Sequence, residues 1–273
     1  MKDFEFRIVT PTLRRLVFNK KSTEQVLIDK IPKQHISIDN LDTLNNHYFT
    51  NLKKINKIMY RGLPINSKLD FIKSELELES CFLSLKNKVK KNFNKVLYGE
   101  RIIQIPNPKK FLIGDYKKFI RKNFPNSSYS GFELIPNWHQ SVNQNISIRD
   151  YDKFFEFVEY EKKFLCYETD FPFKKYHSAY NFFYIINKFP NIKILLPHLG
   201  CGIFLYDSYF KEKKIKKKFD VYTSAPKSLE WLTNIKKKYL LKNINIYFGS
   251  DHPFNGDTSF KIYKAYNKWK NSK

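Results

Sequence analysis

Twice in the second half of this sequence, a β-branched apolar run ends on a polar side chain held in a Gly/Pro-punctuated turn. Ile244-Asn245-Ile246-Tyr247-Phe248 runs into Gly249-Ser250-Asp251-His252-Pro253-Phe254, and Ile192-Lys193-Ile194-Leu195-Leu196 runs into Pro197-His198-Leu199-Gly200. A hydrophobic strand that delivers a carboxylate or an imidazole into a loop at its C-terminal end is how a β/α barrel presents catalytic or metal-binding groups. Two such ends, about fifty residues apart, constrain the fold more than either does alone.

The rest of the chain repeats the alternation. Strand signals fall near residues 5–9, 57–61, 101–105, 131–135, 164–168, 192–196, 220–223 and 244–248. Between them, helical periodicity marks residues 41–54, a run capped by Ser67 that reaches about Lys95, residues 116–123, a helix opened by Ser147 and Asp150, residues 179–189, residues 226–240, and a closing helix from Thr258. Pro106-Asn107-Pro108 and Pro136 stop two of the strands. Eight strands with intervening helices predict an α/β protein built as a (β/α)₈ TIM barrel, one domain over 1–273. At 42% hydrophobic and 17% aromatic, a chain of 273 residues can bury one large core. There is no internal repeat and no interdomain linker.

Composition narrows the function classes. No apolar run reaches the roughly 18 residues of a membrane span, and Met1-Lys2-Asp3-Phe4-Glu5 lacks the order of a signal peptide, so the expectation is a cytoplasmic protein without a membrane partner. Cys81, Cys166 and Cys201 are odd in number and outside any C-x-x-C spacing, and are expected to be buried thiols. The formal charge of +24 attracts acidic molecules. Its lysines are spread along the chain, and the one dense run, 211–218, reads as a solvated helix face, so nucleic acid is a distant third among partners. A small anionic molecule is the expected partner, and a homo-oligomer is left open.

The two strand-end segments resemble the amidohydrolase superfamily, and within it the amidohydrolase-related barrels that include hydrolases and decarboxylases. In that group a strand-six His lies in a segment like Phe189-Pro190-Asn191 through His198-Leu199-Gly200, and a strand-eight Asp lies in one like Tyr247-Phe248-Gly249-Ser250-Asp251-His252-Pro253. Gly131-Phe132-Glu133-Leu134-Ile135-Pro136 is similar to the family's strand-four segment. The resemblance implies a barrel hydrolase or a carbon-carbon lyase with its site at the strand C-termini.

The departures from the family pattern decide the chemistry. Aligning Asp3-Phe4-Glu5-Phe6-Arg7-Ile8 on the family's D-x-H-x-H-h places Glu5 and Arg7 where its metal-binding histidines stand. Glu168 stands at the strand-five His position, and Glu133 where some members carry Lys. An arginine neither ligates nor loses its charge, so Arg7 amid Glu5, Glu168 and Asp251 supplies cationic charge where a relative holds a metal. The favoured reading is a mouth with no cofactor. The alternative is one zinc or manganese ion on Glu5, Glu168, His198 and Asp251.

The catalytic candidates are Asp251 as general base, expected to stay ionised beside a cation, His198 to polarise a substrate oxygen, and Arg7 to stabilise developing negative charge. Glu5, Glu133, Glu168, His139 and His177 are the candidate substrate contacts, and His252 is expected to order its loop. Ester, lactone or amide hydrolysis is the first reading. A catalytically inactive barrel retained as a ligand-binding or interaction module is the alternative, and decarboxylation is the third.

Overall fold

Eight parallel strands run in sequence order around a ring. The structure is a computed structural model that describes residues 1–18, 38–63, 65, 67–125, 128–136, 146–169, 178–200, 211, 219–224, 244–253 and 258–272. Its strands are β1 (Lys2–Arg7), β2 (Lys57–Arg61), β3 (Tyr98–Gln104), β4 (Gly131–Leu134), β5 (Phe164–Tyr167), β6 (Lys193–Leu196), β7 (Asp220–Tyr222) and β8 (Ile246–Tyr247). Among the described residues the helices are α1 (Pro11–Phe18), α2 (Ile38–Asn51), α3 (Lys68–Phe93), α4 (Pro108–Phe111), α5 (Tyr116–Asn123), α6 (Asp152–Glu161), α7 (Ser178–Lys188) and α8 (Thr258–Asn271). The seam joins β1 to the segment after β8. Phe4 N donates to Phe248 O (2.9 Å), Asp251 N to Glu5 O (2.9 Å) and Arg7 N to His252 O (2.7 Å). Closure of this kind leaves no unpaired sheet edge, and the fold is the expected TIM barrel.

Local chemistry accounts for the element ends. The Ser67 hydroxyl accepts from Asp70 N at the start of α3, and Asn94 takes a left-handed conformation at its end. Asp115 caps α5 through Lys118 N. Ser147 and Asp150 form a reciprocal capping box, but they open a 3₁₀ turn (Ile148–Tyr151) that then feeds α6. The first strand starts three residues earlier than its apolar pattern predicts. Its charged start is accommodated because Lys2 pairs with Glu100 (2.5 Å) and Asp3 is buried on four hydrogen bonds.

The core has two layers. Met59, Ile102, Cys166, Leu195 and Tyr222 fill the barrel interior with Phe4 against them, and a larger cluster lies between strands and helices. Along β1 the pairing register shifts between Asp3 and Phe6. Phe4 faces the interior, yet Phe6 packs outward on Tyr48 and Phe49 of α2. In a strand of period two, this irregularity is what turns both Glu5 and Arg7 into the barrel.

One expectation changes: Cys166 is buried, but Cys81, which packs against the core from the edge of the buried face of α3, is only half-buried. Cys201, the helix expected over 226–240 and residues 212–218 of the lysine run lie outside the described residues. No described helix is long and apolar enough to cross a membrane.

Close strand approach leaves no room for a side chain at Gly131. A Cβ on Gly131 would stand 2.6 Å from the Phe164 carbonyl oxygen, a backbone atom that cannot step aside. Gly131→Ala should therefore lose about 1–3 kcal/mol in urea unfolding. Gly114→Ala, whose Cβ meets nothing within 4 Å, should be neutral or slightly stabilising. Equal midpoints for the two variants would rule out this account of the β4–β5 contact.

Candidate functional site

The C-terminal ends of the strands carry a buried ion network. Arg7 Nη2 donates to Glu5 Oε1 (2.6 Å), Nη1 to Glu133 Oε2 (2.5 Å) and to Gly62 O (3.3 Å), and Nε to Asp251 Oδ1 (3.3 Å). From the end of β2, Arg61 Nη1 reaches the other Glu133 oxygen at 2.5 Å and Tyr222 Oη at 3.2 Å, while its Nη2 donates to Phe4 O. Gln104, on β3, adds a donor to Glu133. Buried charges persist only when paired and hydrogen-bonded. Burial works against the Glu133 carboxylate, but Arg61 and Arg7 hold it below the ordinary range. Burial likewise opposes charge on both arginines, and the carboxylates outweigh it and raise them.

The sequence signal for Arg61 and Gln104 was the one used elsewhere: a polar side chain at the end of an apolar strand. Applied to residues 57–61 and 101–105, it marks both. Glu5 and Glu133, expected as substrate contacts, are instead fully buried and committed to the arginines. Arg7 is only 5% exposed, and its guanidinium is engaged by the protein's own carboxylates.

A second set of groups opens toward solvent. Glu168 follows β5, His198 follows β6 and Asp251 follows β8, each leaving about a fifth of its side chain exposed. His198 Nε2 lies 3.6 Å from Glu168 Oε1, an ion pair too long for a hydrogen bond. Its Nδ1 meets Ser224 Oγ at 2.8 Å, and its backbone N–H donates to the same oxygen. Burial disfavours the imidazolium, yet Glu168, Glu5 and Asp251 outweigh it and raise His198 to about 9.

Asp251 departs from expectation. Burial and the Glu5 charge push its carboxyl up to about 8, against the opposing pull of Arg7 and His198. Its exposed fraction softens that rise without reversing it. Second to burial comes the charge of Glu5, part of a cluster in which Glu5, Glu133, Glu168 and Asp251 face Arg7, Arg61 and His198, four carboxyls to three cations.

The backbone at both loop residues is unusual. His198, Leu199 and Asp251 have φ of 52°, 54° and 49°, left-handed values that cost most at Leu199. Asp3 anchors the second turn from behind. Its carboxylate accepts from Ser250 N (3.0 Å), Ser250 Oγ (2.5 Å), Tyr48 Oη (2.5 Å) and Glu5 N (3.0 Å). Burial drives Asp3 up to about 6 in spite of those bonds. His252 is buried, hydrogen-bonded to Asn45 through Nε2, and lowered to about 3 by burial and by His47. Asp251 is thus held between two fixed neighbours. His139 and His177 lie outside the described residues.

A divalent ion does not fit the residues as they stand. Among the described residues no group of three or more His, Cys, Asp or Glu side chains is arranged to hold one. Glu5 and Asp251, two of the four alternative ligands, are engaged by the Arg7 guanidinium, and Glu5 Oε2 is left without a hydrogen-bond partner.

No protein-family model and no curated protein matches the sequence. Solved structures do share its fold. A 5-carboxyvanillate decarboxylase from Sphingomonas paucimobilis aligns with a TM-score of 0.60 at 10% identity, over 97% of this chain and 92% of the other. An amidohydrolase II structure aligns at 0.58 and 12% identity, over 99% and 95%. A dihydroxybenzoic acid decarboxylase from a Polaromonas species, with bound manganese and the inhibitor 2-nitroresorcinol, aligns at 0.52 and 12% identity, over 96% and 90%. What the chain shares with these structures is the barrel fold, over nearly its whole length.

Removing Arg7 tests the network. Arg7→Met should lose about 3–5 kcal/mol at pH 7, because it strands buried carboxylates. Glu133 has a lowered folded-state pKa, so its contribution is present above the unfolded value near about 4.3 and is lost as pH falls through the lower folded value. The gap between variant and wild type should accordingly persist from pH 7 to about 4 and narrow as pH falls below that. Identical melting curves at every pH would remove the guanidinium from this role.

Proposed function

We propose that this chain is an amidohydrolase-superfamily enzyme that performs acid–base chemistry on a small molecule at the C-terminal mouth of its barrel. One observation carries the reading. His198 and Asp251 each sit in left-handed backbone at a strand end, each is partly exposed, and each has a raised proton affinity, His198 to about 9 and Asp251 to about 8. Strained backbone and displaced titrations concentrate at active sites.

In the hydrolytic reading, Asp251 in its carboxylate form takes a proton from water as the water oxygen attacks an ester or lactone carbonyl. The His198 imidazolium donates to the carbonyl oxygen as negative charge develops there, with Nδ1 held by Ser224. The proton then passes from Asp251 to the leaving oxygen as the carbon–oxygen bond breaks, which restores the site. Arg7 acts through Asp251 rather than on the substrate, because its donors are committed to Glu5, Glu133, Asp251 and Gly62 O. The chain's charge of +24 still draws anions toward the barrel. Among the described mouth residues His198 is the partly exposed cation they would meet.

Carbon-carbon lyase chemistry is the second reading, favoured by the proton that Asp251 keeps up to about pH 8. As a carboxylic acid it would protonate the substrate carbon that loses carbon dioxide. The decarboxylases among the similar folds support this alternative.

Two measurements separate these readings. Asp251→Asn should keep ligand binding and lower kcat roughly a hundredfold or more against small lactones, carboxylated esters and aromatic carboxylates. Hydrolysis that needs ionised Asp251 and protonated His198 should rise through about pH 8 and fall beyond about pH 9. Decarboxylation that needs protonated Asp251 should instead be full below about pH 8 and lost above it. Turnover unchanged in Asp251→Asn would refute both, and ligands that bind without reacting would leave a non-catalytic barrel.

A further inference from the structure

Lysines that are spread along the sequence are sorted by the fold onto one end of it. In a ring of parallel strands, each connection from a helix to the next strand lies at the strand N-termini, the base of the barrel opposite the candidate site. The described residues of these connections, 52–56, 94–97, 124–125, 128–130, 162–163 and 189–192, carry Lys53, Lys54, Lys95, Lys162 and Lys163 and no acid. Lys2, Lys57 and Lys193 begin three of the strands, and the Met1 amine donates to Lys54 O (2.8 Å). Against these nine cations stand two acids, Glu100, which Lys2 and Lys57 share, and Asp220 at the start of β7. The described residues directly after the strand ends show the reverse, with Glu168 and Asp251 and no lysine or arginine. Helix dipoles account for part of the basic charge: at about half a negative charge per C-terminus, the six helices that end at the base offset about three cations and leave a surplus of about four. Crowding of this charge is visible at Met1, whose amine is lowered by burial and then by Lys95 and Lys270. Aromatic rings lie among the cations. Tyr98, in register with Lys57, is 57% exposed. Partly exposed Phe4 stacks on Tyr247 (4.3 Å) under the Lys2 ammonium (4.4 Å), and Lys163 lies over Tyr129 (5.1 Å).

We propose that the base of the barrel is a docking surface for single-stranded nucleic acid, with the lysines on its phosphates and Tyr98 stacked on an unpaired base. Charge complementarity selects a polyanion. The rings then select among polyanions, because a single strand offers both a phosphate at every nucleotide and a bare base face. A duplex keeps its bases stacked on one another, and an acidic peptide or an anionic bilayer brings charge without a flat ring to stack. Phosphates and base faces are common to RNA and DNA, and the surface reads those rather than the sugar. Because this face lies at the opposite end of the strands from His198 and Asp251, a bound strand leaves the mouth open.

Fluorescence anisotropy of a labelled oligothymidylate of about fifteen nucleotides with the full chain should show saturable binding that weakens roughly tenfold or more from about 50 to about 200 mM salt. Lys53→Gln, Lys54→Gln and Lys193→Gln combined should weaken it roughly tenfold and flatten its salt dependence, with the circular dichroism spectrum unchanged. Lys73→Gln, Lys118→Gln and Lys261→Gln combined remove the same charge from exposed positions in the first halves of α3, α5 and α8, at the other end of the barrel, and should change it less than about threefold. Tyr98→Ala should weaken binding roughly fivefold or more, and Tyr98→Phe should keep most of it. No binding at about 50 mM salt, equal losses in the two lysine triples, or indifference to Tyr98→Ala would each overturn the proposal. So would an affinity for polyglutamate or for phosphatidylserine vesicles equal to that for the oligonucleotide, which would give the face to an acidic peptide or to a membrane.

Discussion

A guanidinium in the barrel seam sets the constraints on everything around it. Arg7 arises on β1, touches Glu133 on β4, Gly62 O after β2 and Asp251 after β8, and so ties four parts of the ring through one planar group. A lysine could neutralise one of these carboxylates, but not fork across three. Glu133 lies between Arg7 and Arg61, so each buried charge is offset by another, and none can be removed without exposing the rest to a low-dielectric interior. The network is structural in its energetics, yet its outermost contact is Asp251, the residue with most claim to chemistry.

That arrangement explains how the mouth differs from its base. Deeper carboxylates are each engaged by arginine, whereas Glu168, His198 and Asp251 share what charge is left and remain partly open to solvent. With one more acid than cation in the cluster, a proton is best held at the least compensated position, and Asp251 rises accordingly. The backbone contributes as well. Asp3 fixes Ser250 with both carboxylate oxygens, and the seam hydrogen bond from Asp251 N to Glu5 O fixes the next residue, so the left-handed conformation at Asp251 is imposed from both sides. Strain of this kind survives only where surrounding contacts over-determine it.

The comparisons place this chain in an architecture whose solved examples include a decarboxylase with bound manganese. In this barrel Arg7 stands among the acids that would have to bind such an ion, and its guanidinium already engages Glu5 and Asp251. Positive charge is nevertheless present at the mouth. It comes from side chains whose positions are set by packing, and it cannot act as a Lewis acid.

Periodicity and strand-end chemistry were enough to determine the fold. Eight apolar runs separated by helical patterns admit few topologies, and Ser67 and the Ser147–Asp150 pair placed helix starts within a residue or two because capping is a local hydrogen bond. The residues on the barrel rim were legible for the same reason: Asp251 and His198 end their strands in turns that only a few residue types can make. What the sequence did not decide was how those groups share charge. Asp251 looked like an ionised base beside an arginine, and Glu5 and Glu133 looked like substrate contacts. The structure sets Glu5 and Glu133 on the arginines and raises the Asp251 carboxyl, since burial, the β1 register irregularity and the arrival of Arg61 from β2 are set by residues distant in the chain. Local pattern specifies which side chains reach the mouth, and only tertiary packing determines which of them pair, which stay wet and which keeps the proton, because electrostatic energies depend on distances and dielectric that no stretch of sequence contains.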